Sequence, residues 1–169
     1  IPDLHSFAVG LEGSADLAAA RRAAQHIGTQ HHEYVYTATE ATSIIEQVIE
    51  HLESYDQALI ESSVPCWFVS RLAAEHVKVV LSGEGADEVF AGYEYFSNIP
   101  DPTALAAECV RLLRSLHNMN LQRVDRMTMA HALEGRVPFL DLELIAYGMR
   151  LDPALKTVSS RRPEKWLLR

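Results

Sequence analysis

Apolar positions along the chain switch between strand-like runs and helix-like spacing, and the switches predict the order of elements. Residues 4–9 (LHSFAV) form a short run of strand formers closed by Gly10, which reads as a buried strand followed by a loop over 10–14. Residues 16–27 are rich in Ala, Leu and Arg and stop at Gly28, as a helix does. Residues 32–36 (HEYVY) give a second strand. In 41–52 the side chains of Ile44, Ile45, Val48, Ile49 and Leu52 fall on one face of a helix. Residues 65–75 read as a helix that starts at Pro65. Residues 78–81 read as a strand in which Val79, Val80 and Leu81 form a short continuous apolar run suited to a parallel sheet.

Beyond Pro102 the spacing is helical over 103–116, 121–133 and 142–149, with Asn- and Pro-containing breaks between. The order strand, helix, strand, helix, helix, strand predicts an α/β fold: a parallel sheet with helices on both faces and a helical C-terminal half. In such folds ligands sit beyond the carboxyl ends of the strands. No repeat, low-complexity tract or flexible linker interrupts the sequence, so residues 1–169 read as one domain whose second half layers against the sheet.

Composition narrows the partners. With 48% hydrophobic residues, the 169-residue chain has enough apolar side chains for a core without staples. Its 15 Lys and Arg against 23 Asp and Glu give a formal charge of -8, which argues against a nucleic-acid surface and for small-molecule ligands. Cys66 and Cys109 lie far apart without CxxC or Cys/His spacing, so neither a disulfide framework nor a zinc site is implied and a reducing cytoplasm is expected. No run approaches the roughly 18 apolar residues of a membrane span. The start at Ile1-Pro2-Asp3, without Met, and the stop at Arg169 lead us to expect a piece of a longer chain.

The richest chemistry lies in residues 81–93 (LSGEGADEVFAGY), where an apolar strand runs into a glycine-spaced, acid-rich loop. Small residues at Ser82, Gly83, Gly85 and Ala86 let a ligand approach the backbone. Glu84, Asp87 and Glu88 supply base or metal-ligand oxygens, and their mutual repulsion calls for a cation or ligand. A Mg-nucleotide is the expected occupant. The plainer alternative is a strand-to-helix turn whose acids favour a helix N-terminus. Phe90, Tyr93, Tyr95 and Phe96 read as packing groups. Arg123 and Arg126 fall on one predicted helix, either as a solvated face or toward an anion. Glu134 and Arg136 read as a structural ion pair. His31 and His32 are neighbours in a strand and point to opposite faces, so the two do not share one metal ion.

The string SGEGADEVFAGYEYF resembles the synthetase domain of glutamine-hydrolysing asparagine synthetases. Three further pieces match in order: HSFAVGLEGSADLAAARRAAQHIGTQHHE is similar to that family's second strand and helix, LQRVDRMTMAHALEGRVPFLD to its RVDR and RVPFLD block, and EKWLLR at 164–169 to its last motif. The resemblance implies an adenine nucleotide alpha hydrolase-like fold of the ATP-pyrophosphatase type. It also implies a reaction: aspartate attacks the α-phosphorus of MgATP, pyrophosphate leaves, and β-aspartyl-AMP is then amidated to asparagine. The ammonia comes from glutamine in an N-terminal glutaminase domain.

By the same resemblance, backbone at Ala8 and Val9 contacts adenine, and Ser82 and Gly83 hold ribose and α-phosphate. Glu84 is the general base, Asp87 the Mg²⁺ ligand, Lys165 the cation that follows charge at phosphorus, and Arg123 faces phosphate or substrate. Tyr55, Asp56, Ser62 and Ser63 match a segment lining the aspartate and pyrophosphate site, though the two serines read equally well as caps of a helix from Pro65.

Two departures stand against this pattern. The family's Ser-Gly-Gly-x-Asp-Ser pyrophosphate loop and its glutaminase domain do not occur in these residues, so the piece alone is expected to bind MgATP poorly, to leave glutamine unhydrolysed, and to favour dimerisation through an uncovered sheet edge. Glu61 stands where an arginine is expected, which opens two alternatives: a relative acting on another carboxylate, of β-lactam or lasso-peptide type, or a non-catalytic nucleotide-binding homologue.

Overall fold

Strands β1 (His5–Gly10) and β2 (Gln30–Val35) pair in parallel, His5 opposite Gln30 and Gly10 opposite Val35, in the computed structural model of the chain. The structure describes residues 3–159 and 161–168; Ile1, Pro2, Ser160 and Arg169, the last of which closes the matched EKWLLR segment, lie outside the described residues. A parallel pair needs a crossover, and helix α1 (Ala15–Ile27) provides it. Ser14 Oγ accepts from Asp16 N at 3.2 Å at the start, and left-handed Gly28 donates to Ala24 O at 2.8 Å at the end.

The single helix expected over 41–52 is two, α2 (Ala38–Ser43) and α3 (Ile45–Leu52). Thr37 and Glu40 form a capping box that starts the first helix early. Thr42 Oγ1 then donates to Ala38 O at 2.5 Å and Ser43 Oγ to Glu40 O at 2.8 Å. Such back-bonding competes with the helical ladder and ends α2.

Helix α4 (Gln57–Ala74) also departs from expectation, since it begins at Gln57 and carries Pro65 in its interior. Asp56 caps it, Oδ1 accepting from Leu59 N at 2.8 Å, which removes the capping reading of Ser62 and Ser63. An interior proline costs about 3 kcal/mol. Leu59, Val64, Trp67 and Phe68 are all buried from the same helix, and at roughly 1.5–3 kcal/mol each they outweigh that cost.

The chain continues through β3 (Val79–Leu81), α5 (Ala86–Phe90), α6 (Pro102–Ser115), α7 (Asn120–Met129), β4 (Glu134–Arg136) and α8 (Leu142–Arg150). The helices expected at 103–116 and 142–149 are α6 and α8. The one expected at 121–133 is α7, which stops at Met129 because the N–H groups of His131 and Ala132 turn back to Thr128 O and Met129 O. Among the described residues the strands make two pairs rather than one continuous sheet, β1 with β2 and β3 with β4. Glu134 N donates to Lys78 O at 2.9 Å and Ser82 N to Arg136 O at 2.8 Å, a spacing that runs in the same sense on both strands. A strand written Glu-Gly-Arg carries no strand-forming signal, so this pairing was invisible in the sequence.

Two compact units result, one of Ile1–Val80 with Gln122–Gly135 and one of Leu81–Leu121 with Arg136–Arg169. The core of the first gathers Val48, Leu52, Leu59, Trp67, Phe68 and Met127. Phe68 is 1% exposed and stacks on Tyr36 at 4.7 Å, while the Arg71 guanidinium lies over the Tyr34 and Phe68 rings. In the second, Ala91, Phe96, Leu105 and Cys109 are fully buried, with Tyr93, Leu112 and Met149 against them. Both cysteines are free, and burial pushes the Cys109 thiol up. No helix among the described residues is long and apolar enough to cross a membrane.

Because Phe68 anchors the first core, Phe68→Ala is expected to lower the free energy of unfolding by about 3–5 kcal/mol, read from the denaturant midpoint at unchanged slope. A loss of about 0.5 kcal/mol or less, the size of an ordinary surface change, would contradict this packing.

Candidate active site

In the second unit the expected loop is built around two glycines that nothing larger can replace. Gly85 has φ 95, and a Cβ there would overlap the Leu140 side chain. It starts α5, whose Ala86, Val89 and Phe90 are buried and so turn the helix inward. Gly92, just past its end, meets Asp87: a Cβ on Gly92 would overlap the Asp87 carboxylate, and Gly92 N donates to Asp87 O at 2.9 Å. Around Gly83, by contrast, an added Cβ would meet nothing within 4 Å, so the backbone there is open to an incoming group. Ser82 and Glu84 beside it are half-buried.

Asp87 is also where Lys165 arrives. Lys165 Nζ donates to Asp87 Oδ1 at 2.5 Å, and the two side chains are 35% and 34% exposed. Lys165 holds a left-handed backbone, φ 53, and its carbonyl accepts from Leu168 N at 2.8 Å. A lysine in that conformation costs about 1–2 kcal/mol; the ion pair with Asp87 and the turn closed by Leu168 N hold it there.

Glu88 behaves differently from its two acidic neighbours. Expected as a further ligand oxygen, it is 1% exposed, with Oε1 accepting from Tyr93 Oη at 2.5 Å and from Asn120 Nδ2 at 3.1 Å. Asn120 Nδ2 also lies 3.1 Å from Tyr93 Oη, and Glu88 Oε2 has no hydrogen-bond partner among the described residues. Burying a carboxylate is unfavourable without such donors. Burial, then the hydrogen bond to Glu88 and its negative charge, raise the Tyr93 phenol well above its ordinary value. Tyr95 is pushed up to about 12 by burial and by Glu108. The sequence reading missed Asn120; the available cue was an acid embedded among Ala86, Val89 and Phe90, which needs donors from elsewhere.

In the first unit Ala8 and Val9 are half-buried in the carboxyl-terminal half of β1, in register with Glu33 and Tyr34. Arg123 is half-buried on α7 beside buried Val124, while Arg126 pairs with Glu53 at 3.3 Å on an exposed face. Tyr55 is 88% exposed, Ser62 Oγ donates to Leu59 O at 3.1 Å, and Glu61 accepts from Gln57 Nε2 at 2.8 Å on the outer face of α4. The structure thus collects Ser82, Gly83, Glu84 and Asp87 on one loop and helix turn and adds Lys165 to it. The donor set there suits a magnesium–phosphate group: a hard carboxylate oxygen on Asp87, an ammonium beside it and open backbone at Gly83.

The family profile described as asparagine synthase matches residues 2–104 and 97–169. The chain is 47% identical to a probable asparagine synthetase [glutamine-hydrolyzing] of Schizosaccharomyces pombe, over 99% of this chain and 30% of that protein. It is 46% identical to an asparagine synthetase [glutamine-hydrolyzing] of Brassica oleracea, over 99% and 29%. To asparagine synthetase B [glutamine-hydrolyzing] of Escherichia coli it is 46% identical, over 99% and 30%. The chain therefore spans less than a third of the length of these curated relatives.

The buried Tyr93–Glu88 contact fixes a pH dependence. A phenol whose folded pKa is raised contributes stability that is complete below its unfolded value of about 10 and is lost as pH rises above it. Alkaline titration of tyrosinate absorbance is expected to show that Tyr93→Phe removes a late-titrating phenol from the six tyrosines. If the variant instead removes a phenol that ionises in the ordinary range, the described contact is wrong.

Proposed function

The chain belongs to the asparagine synthase family, and on that footing we propose that it is the ATP-binding synthetase portion of an enzyme that converts aspartate to asparagine. The fold we propose for the whole synthetase domain is the adenine nucleotide alpha hydrolase-like, ATP-pyrophosphatase type. The observation that carries the reading is the meeting of Lys165 with Asp87 at the SGEGADE loop. The reaction is formation of a carboxyl–AMP anhydride with loss of pyrophosphate, then attack of ammonia at the acyl carbon with departure of AMP.

The proposed roles rest on the family resemblance, and the chemistry of each group suits the role it is given. Gly83 offers open backbone to the α-phosphate, and the Ser82 hydroxyl donates to ribose or phosphate. Lys165, paired with Asp87, would turn its ammonium toward the charge that builds at phosphorus and on the departing pyrophosphate. Asp87 would hold Mg²⁺, whose chemistry when bound is neutralisation of phosphate charge. Glu84, half-buried on the same loop, takes the proton that the attacking nitrogen loses at the acyl carbon. Arg123 serves phosphate or substrate, and backbone at Ala8 and Val9 serves adenine. A glutaminase domain supplying ammonia, a homodimeric state and a cytoplasmic location complete the proposal.

The test is made on the full protein with aspartate, MgATP and ammonia, quantifying asparagine, AMP and pyrophosphate together. Glu84→Gln is expected to reduce asparagine formation about 10²–10⁴-fold with ATP binding retained, and Lys165→Ala to reduce pyrophosphate release. Unchanged turnover in Glu84→Gln would refute the assignment of the base. AMP and pyrophosphate without asparagine would mean a working adenylation site with a different acceptor or carboxylate, and no pyrophosphate at all would favour the non-catalytic nucleotide-binding alternative.

A further inference from the structure

Within the first unit, and in no part of the proposed synthetase chemistry, three histidines meet on one face of the parallel strand pair. His5 and Phe7 stand on β1, and the register sets Phe7 opposite His32 of β2, so all three share a face. His76, exposed just beyond the end of α4, stacks on that face, 3.8 Å from the His32 ring with the ring planes 27° apart. His5 Nδ1 lies 2.8 Å from His32 Nε2, and one nitrogen from each of the three rings falls within 4.8 Å of the others. His31, adjacent in sequence, is turned to the opposite face, where it meets Ser6 Oγ at 2.8 Å and Glu33 at 3.2 Å.

We propose that His5, His32 and His76 form a binding site for a divalent transition metal, with Zn²⁺ as its reference occupant. Three imidazoles without a carboxylate select Zn²⁺, Cu²⁺ or Ni²⁺ over the oxygen-seeking Mg²⁺ and Ca²⁺. Three protein nitrogens and an open fourth position for water is an established zinc arrangement. Tetrahedral Zn²⁺ with bonds of about 2.0–2.1 Å spaces its ligands roughly 3.3 Å apart. The His5–His32 separation is already inside that spacing, and the rest of the closure falls to His76, whose exposed ring turns out of the stack to aim its lone pair at the ion.

The short His5–His32 contact holds one proton between two ring nitrogens. On metal binding that proton leaves the shared position, and the rings carry their N–H on the outward nitrogens. The donors come from three elements, β1, β2 and the end of α4, and stacking with Phe7 collects them before an ion arrives. A bound cation clamps the tail of α4 to the strand pair, and the exposure of His76 gives it an entry path.

The experiment uses the full chain, stripped with chelator and titrated calorimetrically with Zn²⁺ at neutral pH, with Mg²⁺ as the comparison. One-to-one Zn²⁺ binding without Mg²⁺ binding is expected. His76→Ala, a surface change that leaves folding intact, and His5→Ala are each expected to weaken Zn²⁺ about 100-fold, at the upper end of what even outer ligand partners cost, and His31→Ala to leave it unchanged. Co²⁺ is expected to give visible absorption bands of tetrahedral type that His76→Ala abolishes. Absence of saturable Zn²⁺ binding, or binding that survives both His5→Ala and His76→Ala, would overturn the site and leave a packed aromatic stack.

Discussion

Lys165 reaches back 78 positions along the chain to Asp87, and the arrangement of the acidic loop depends on that contact. Glu84, Asp87 and Glu88 lie within five positions, a density of negative charge that repels itself unless each carboxylate finds its own compensation. Asp87 finds an ammonium and a close backbone at Gly92. Glu88 finds a phenol and an amide in the interior. Glu84 is half-buried on the same loop, where the proposed reaction would use it for proton transfer.

One short string therefore separates into three environments, and burial assigns the tasks. A carboxylate sealed in apolar surroundings with two donors is a structural anchor, whereas Asp87 is partly exposed beside an ammonium that is partly exposed too. The left-handed backbone at Lys165 closes a turn that sets the ammonium against Asp87, and in the proposed reaction a phosphate group at Gly83 would compete for that cation.

Local periodicity carried much of the fold into view. Helix α1 with its stop at Gly28, the strand β1 and the apolar face of Val48 and Leu52 each follow from spacing alone. Features decided by side-chain to backbone bonds or by distant neighbours did not. Thr42 and Ser43 end α2 through hydroxyls that no hydrophobic pattern registers, and α4 runs through Pro65 because its burial outweighs a local penalty. At the candidate site, Ser82, Gly83, Glu84 and Asp87 were legible as a motif, since they are contiguous. The inward turn of Glu88 depends on Asn120, and the meeting of His5, His32 and His76 depends on strand register and the end of α4; neither is encoded at any one place in the chain.

In the proposed reaction the carboxylate oxygen becomes bonded to the α-phosphorus before nitrogen replaces it. Aspartate labelled with heavy oxygen in its side-chain carboxylate distinguishes this directly when the full protein is supplied with ATP, Mg²⁺ and ammonia and the products are weighed by mass spectrometry. Adenylation of the carboxylate is expected to leave one labelled oxygen in AMP and none in pyrophosphate. Label in phosphate or pyrophosphate, or AMP without label, would contradict it.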